Sequence, residues 1–165
     1  MASITLKGNK VTTVGDILKK GETAQAFKLV KTDLSEVTLE TYKGKRKVLN
    51  IFPSVDTPTC AMSVRKFNKD ASDFSNTVVL NISAELPFAL KRFCGVEGIA
   101  NAEALSTFRS TFSKDYKVEM SDSVLAGLCS RVVIVLDENN KVLHSEQVLE
   151  IANEPNYEAA LKSLK

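Results

Sequence analysis

The sequence predicts an α/β fold: a central mixed β-sheet flanked by helices, with an N-terminal β-hairpin. Three observations carry this expectation. Two continuous apolar runs, VVLNI at residues 78–82 and RVVIVL at residues 131–136, read as strands buried on both faces. An earlier apolar run at residues 48–52 is followed by an amphipathic helix and then by the first of these strands, which makes a strand–helix–strand unit with a right-handed crossover. An alternating segment at residues 142–148 returns from the second run through the DENN turn and forms a hairpin with it. A composition of 44% hydrophobic and 25% charged residues suits a single domain spanning residues 1–165.

Taken in order, residues 4–6 and 10–13 flank Gly8-Asn9 and read as a hairpin that decorates the core. Gly15-Asp16 and Gly21-Glu22 punctuate a loop, and residues 27–30 and 37–39 read as short strands around the polar KTDLSE turn. Residues 42–47 are basic and read as a solvated loop leading to the strand at 48–52. Pro53 stops that strand. After a turn, Thr57 is a suitable N-cap and Pro58 a suitable first helical residue, because its missing N–H would have no partner there. Val64, Phe67, Ala71 and Phe74 recur at intervals of three and four and form the buried side of the helix, so Cys60 is expected at its exposed tip. After the strand at 78–82, Leu86-Pro87 starts a short helix at 88–94, which Gly95 and Gly98 terminate. Residues 105–112 suggest another helical turn. Residues 155–164 close the order as a helix with Tyr157, Ala160, Leu161 and Leu164 on its apolar side. This order of elements is that of a thioredoxin-like α/β fold.

The charge balance narrows the function. Lys and Arg number 22 against 20 Asp and Glu, for a net charge of +2, with no basic block, so neither nucleic acid nor a membrane surface is an expected partner. No charged-then-apolar leader is visible and no apolar run approaches about 18 residues, so membrane insertion is not expected and the setting reads as cytoplasmic. The odd count of three cysteines argues against a disulfide framework and leaves catalytic or inert thiols. His144 lies in the alternating strand and reads as a surface residue. One histidine and three scattered cysteines do not make a zinc site, and no cofactor or metal is expected.

Cys60 carries the chemistry. An arbitrary free cysteine is most often a small buried hydrophobe, but this one stands in a turn rich in hydroxyls, beside Ser54, Thr57 and Thr59. At the third helical position it meets first-turn N–H groups and the positive end of the helix dipole, with Arg65 and Lys66 nearby, and all of these favour the thiolate.

The spacing Pro53-x-x-x-Thr57-x-x-Cys60 resembles the PxxxTxxC active-site motif of the peroxiredoxins. The stretches NIFPSVDTPTC, VRKFN, NTVVLNISAELPFALKRFCGVEG, LSTFR, SRVVIVLDENNKV and EPNYEAAL extend the resemblance to the thiol peroxidase branch over almost the whole chain. The resemblance implies that Cys60 attacks a hydroperoxide and that Thr57 orients peroxide and sulfur. It implies that Pro53 shields the sulfur, and that Arg131 stabilises the thiolate and the leaving oxygen. Cys94 matches the resolving cysteine, which implies an intrachain Cys60–Cys94 disulfide reduced by thioredoxin. Helix ends do not ordinarily bring two Cα atoms within about 4.4–6.8 Å, so that bond calls for local unwinding around both cysteines. The resemblance further implies a homodimer and a preference for alkyl, including lipid, hydroperoxides. Cys129 departs from the family, which usually has a small apolar residue there. In an extended strand it would share a face with Arg131; packing is its expected role, with a side reaction toward oxidised Cys60 as the alternative. A thiol-based redox sensor would use the same Cys60 and Cys94, whereas a general dithiol oxidoreductase would normally show CxxC, which the chain lacks.

Overall fold

The computed structural model describes residues 1–97 and 103–165. A two-stranded antiparallel hairpin, β1 (Ser3–Leu6) and β2 (Asn9–Thr12), precedes the main sheet. Its turn is Lys7-Gly8 rather than Gly8-Asn9. Both turn residues have positive φ, 51° and 81°, which a two-residue turn matching the strand twist requires, and Asn9 pairs with Leu6 inside the ladder.

The main sheet contains β3 (Lys28–Lys31), β4 (Glu36–Thr38), β5 (Arg46–Ile51), β6 (Thr77–Ser83), β7 (Glu103–Ser106), β8 (Val132–Leu136) and β9 (Val142–Gln147). The strand order is β4-β3-β7-β6-β5-β8-β9, with β5, β6 and β7 parallel and the remaining pairs antiparallel, so the sheet is mixed as expected. Helices α1 (Pro58–Ala71), α2 (Pro87–Glu97) and α4 (Tyr157–Lys162) join one face of it. There Val48, Val79 and Val133 of the sheet pack with Phe67 of α1 and Ala160 of α4. On the other face Leu49, Ile51, Leu80 and Ile134 pack with Phe112 of the short α3 (Phe112–Asp115) and with Tyr42 of a 3₁₀ turn, Leu39–Tyr42. The strict alternation along β5, β6 and β8 is what lets one sheet serve two cores.

Several local expectations are overturned. Residues 42–47 are a solvated loop only at 43–45, which form an exposed turn: Tyr42 is buried, and Lys47 lies inside β5 with no exposed surface and its Nζ 2.6 Å from Asn140 Oδ1. Burial pushes the Lys47 ammonium down. The segment expected to turn helically at 105–112 instead opens with β7, which pairs with both β3 and β6; α3 starts only at Phe112. Gly95 does not end α2, which continues to Glu97, while Gly98 lies outside the described residues. Glycine costs a helix only about 1 kcal/mol against alanine, which packing readily offsets.

Candidate functional site

The site forms where β5 leaves the sheet. Phe52 and Pro53 are buried at its end, and Val55 is buried in the loop that follows. Thr57 then caps α1: its Oγ1 accepts the Cys60 N–H at 3.3 Å and donates to the Ser54 carbonyl at 3.1 Å. The Thr57 N–H also donates to that carbonyl, at 3.2 Å. The cap and the third helical position of Cys60 are therefore as the sequence predicts. Its exposure is not: Cys60 is 0% exposed, packed with Phe52, Val55, Val64, Leu90 and Ala104. Cys60 is covered by Phe52 and Val55 of the preceding segment, Val64 of its own helix, Leu90 of α2 and Ala104 of β7, while Pro58 at the helix start stays exposed.

Arg131 stands just before β8 and is 2% exposed. Its Nη2 donates to Cys60 Sγ at 3.3 Å and its Nε donates to the Ile151 carbonyl at 2.8 Å, while Nη1 has no partner among the described residues. No carboxylate forms an ion pair with it among the described residues. Cys60 Sγ and the Ile151 carbonyl are thus the two acceptors this buried guanidinium meets among the described residues.

The Ile151 carbonyl is itself held in place. Glu150 accepts hydrogen bonds from Thr5 Oγ1 at 2.7 Å, from the N–H groups of Lys7 and Gly8 at 2.9 and 3.1 Å, and from Ala152 N–H at 3.2 Å. These bonds, the Thr5 one first, pull its carboxyl down to about 2. The Ile151 N–H donates to Thr5 O at 2.9 Å, and Thr59 Oγ1 donates to Ala152 O at 3.0 Å. The N-terminal hairpin thus fastens the segment that aims Arg131 and braces the first turn of α1.

Beneath Cys60 runs a buried polar chain. Ser63 Oγ donates to the Cys60 carbonyl at 2.8 Å and accepts from Asn50 Nδ2, which also reaches Asn81 Oδ1 at 2.9 Å. The sequence carries a signal for it: VLNI occurs at residues 48–51 and again at 79–82, and the parallel register sets Asn50 opposite Asn81. A polar residue inside a buried apolar run must find a partner. Glu85, equally unanticipated, binds the loop of Ser54 and Val55.

Cys94 lies on α2, half-buried against the same cluster as Cys60, and both thiols are free. Burial pushes the Cys94 thiol up, so it rests as a neutral group. Cys129 is not on the Arg131 side. The chain is irregular between the Glu119–Cys129 bridge and β8, and Cys129 falls in the core of the opposite face, its thiol pushed up to about 12 by burial and by Glu119. His144 lies half-buried on the edge strand β9, and burial pushes its imidazole down. Among the described residues no helix is long and apolar enough to cross a membrane.

A capped helix end presenting a sulfur to a buried guanidinium can stabilise a thiolate and the charge that develops when it attacks an electrophile. Comparison with known proteins points to one family. Residues 19–161 match the Redoxin family. The chain is 50% identical to a thiol peroxidase of Corynebacterium glutamicum over 164 residues, 99% of each chain. Among solved structures, a peroxiredoxin-like protein from Aquifex aeolicus superposes with a TM-score of 0.93 at 36% identity, covering 98% of this chain and 95% of that one. A thiol peroxidase from Chromobacterium violaceum superposes at 0.91 with 24% identity, covering 98% and 94%, and shares the fold.

Proposed function

The chain belongs to the thiol peroxidase branch of the redoxin family, a peroxide-reducing enzyme on the thioredoxin-like fold, and from that premise we propose that its reaction runs through Cys60 and Cys94. The observation that carries the assignment is the 3.3 Å contact from Arg131 Nη2 to Cys60 Sγ inside a water-excluding cluster. The Cys60 thiolate attacks the terminal oxygen of a hydroperoxide. The S–O bond forms as O–O breaks, and the departing oxygen takes a proton to leave as alcohol or water. Arg131 spreads its charge over sulfur and leaving oxygen, Thr57 Oγ1 orients the peroxide, and Pro53 closes the loop against solvent.

The Cys60 sulfenic acid then condenses with Cys94, expelling water and forming the intrachain disulfide. Because Cys94 is held neutral by burial, unwinding of its helix end serves two purposes: it brings sulfur to sulfur and it returns the thiol to water, where it ionises. Thioredoxin reduces the bridge by exchange, restoring two thiols. A cytoplasmic homodimer acting on alkyl as well as hydrogen peroxide completes the reading.

The test is NADPH oxidation through thioredoxin reductase and thioredoxin with cumene hydroperoxide. Cys60→Ser should abolish turnover, and Cys94→Ser should stop it after one sulfenic acid per chain. Normal turnover by Cys94→Ser would remove the resolving role, and an inactive parent would move the redox-sensor reading ahead.

A further inference from the structure

Glu85 sits in the turn between β6 and α2 and is half-buried. Its side chain faces neutral donors: Val55 N–H at 2.7 Å and Ser83 Oγ at 3.0 Å on Oε1, and Ser54 Oγ at 3.1 Å on Oε2. Its own N–H donates to Ser83 Oγ at 3.4 Å, and its carbonyl accepts from Ser106 Oγ at the end of β7. No lysine or arginine forms an ion pair with it among the described residues.

We infer that Glu85 is a positioning residue for the peroxide step, acting through the loop that holds Thr57; this rests on the peroxidase reading of Cys60. The chain of reasoning follows the protons. Ser54 Oγ accepts from Asp56 N–H at 3.0 Å, so its own proton goes to the Glu85 carboxylate, an acceptor-only group. With Ser54 and Val55 both tied, the Ser54 carbonyl is fixed in space. That carbonyl takes the Thr57 hydroxyl proton at 3.1 Å, which leaves a Thr57 lone pair directed at Cys60 N–H. The rotamer of the hydroxyl that caps the Cys60 N–H is therefore set by a carboxylate that does not touch it. Glu85 also begins the approach to α2, two residues before Pro87, so one side chain registers the loop of Cys60 against the root of the helix bearing Cys94.

Without Glu85 the loop keeps Cys60 but loses the registration of Thr57. Both reagents must enter the cluster that buries Cys60, so access is common to the two rates; attack on peroxide also needs sulfur, hydroxyl and guanidinium together and suffers, whereas alkylation needs only the thiolate and does not. The experiment measures both rates in a Cys94→Ser background, by rapid quench and mass spectrometry of Cys60 with cumene hydroperoxide and with iodoacetamide. Glu85→Ala should slow sulfenic acid formation by about tenfold to a hundredfold while alkylation stays within about threefold. Glu85→Gln, which keeps an acceptor for Val55 N–H, should recover most of the loss. Ser54→Ala, which leaves the turn at Glu85 intact, should show the same split at smaller size and keeps the test valid should Glu85→Ala fold poorly. Equal losses in both rates, or a peroxide rate in Glu85→Ala within about threefold of its parent, overturn the inference. A parent that alkylates at Cys60 but forms no sulfenic acid overturns the peroxidase reading and this inference with it.

Discussion

Replacing Arg131 with methionine tests the electrostatics of the site directly, because methionine keeps an apolar stem, shorter than that of arginine, while removing the charge. The guanidinium is 2% exposed, and it has two hydrogen bonds, to Cys60 Sγ and to the Ile151 carbonyl. A hydrogen bond to a charged group contributes about 1.5–3 kcal/mol, and loss of one donor to a developing anion slows catalysis by about 10²–10³-fold. Arg131→Met should therefore slow sulfenic acid formation by that factor. Stability should respond differently, since the substitution also removes a buried charge with one nitrogen that has no partner among the described residues. In a double-mutant cycle with Cys60→Ser, followed by urea unfolding at neutral pH, the coupling between the two side chains should come out at about 2 kcal/mol. Cys60→Ser alone should destabilise, and adding Arg131→Met should restore part of the loss, because the charge left facing a neutral hydroxyl is gone. A coupling under about 0.5 kcal/mol, or a peroxide rate within threefold of the parent, would refute the claim that thiolate and guanidinium compensate each other.

Three further outcomes are expected. Glu150 has a carboxyl held down to about 2 against an ordinary 4.5, so its contribution is fully present above about pH 4.5 and fades as pH falls toward 2; hydrogen-exchange protection across residues 3–12, referred to intrinsic rates, should fall in that window, and Glu150→Gln should flatten the dependence. Cys129→Ala should leave turnover and the mapped disulfide unchanged while lowering stability by about 1–2 kcal/mol, and native Cys129 should resist iodoacetamide at about pH 8 because its thiol is pushed up to about 12. Ser63→Ala frees the Cys60 carbonyl from the polar chain below it and, at about 1 kcal/mol per hydrogen bond, should speed Cys60–Cys94 closure about fivefold in single-turnover quench experiments.

What was readable in the sequence was local. Thr57-Pro58 caps a helix through contacts three residues apart, and apolar runs of five residues declare themselves as strands. What escaped depends on distant partners. EALS at 103–106 contains good helix formers, yet lying between β3 and β6 makes it a strand. Lys47 reads as solvated until Asn140, 93 positions away, is seen receiving its ammonium. Glu85 meets Val55 across 30 positions with no spacing rule to announce it. The motif points to Pro53, Thr57 and Cys60 and the family resemblance to Arg131, but neither announces the burial of Cys60, because most of its cover comes from segments distant in sequence, Leu90 of α2 and Ala104 of β7 among them.

The fastening of the hairpin to Glu150 has a consequence for the order in which the enzyme comes into being. Thr5 and its partners Leu149 and Glu150 are 144 and 145 positions apart, so the contact that sets the Ile151 carbonyl, and through it Arg131, closes only when nearly all of the chain has been synthesised. Closing so long a loop costs little more than closing a shorter one, since the entropy grows only with the logarithm of length. During synthesis Cys60 and Cys94 emerge as unassisted thiols, without an aimed guanidinium beside them. The aim of Arg131 at Cys60 is thus among the last long-range features of the fold to be completed.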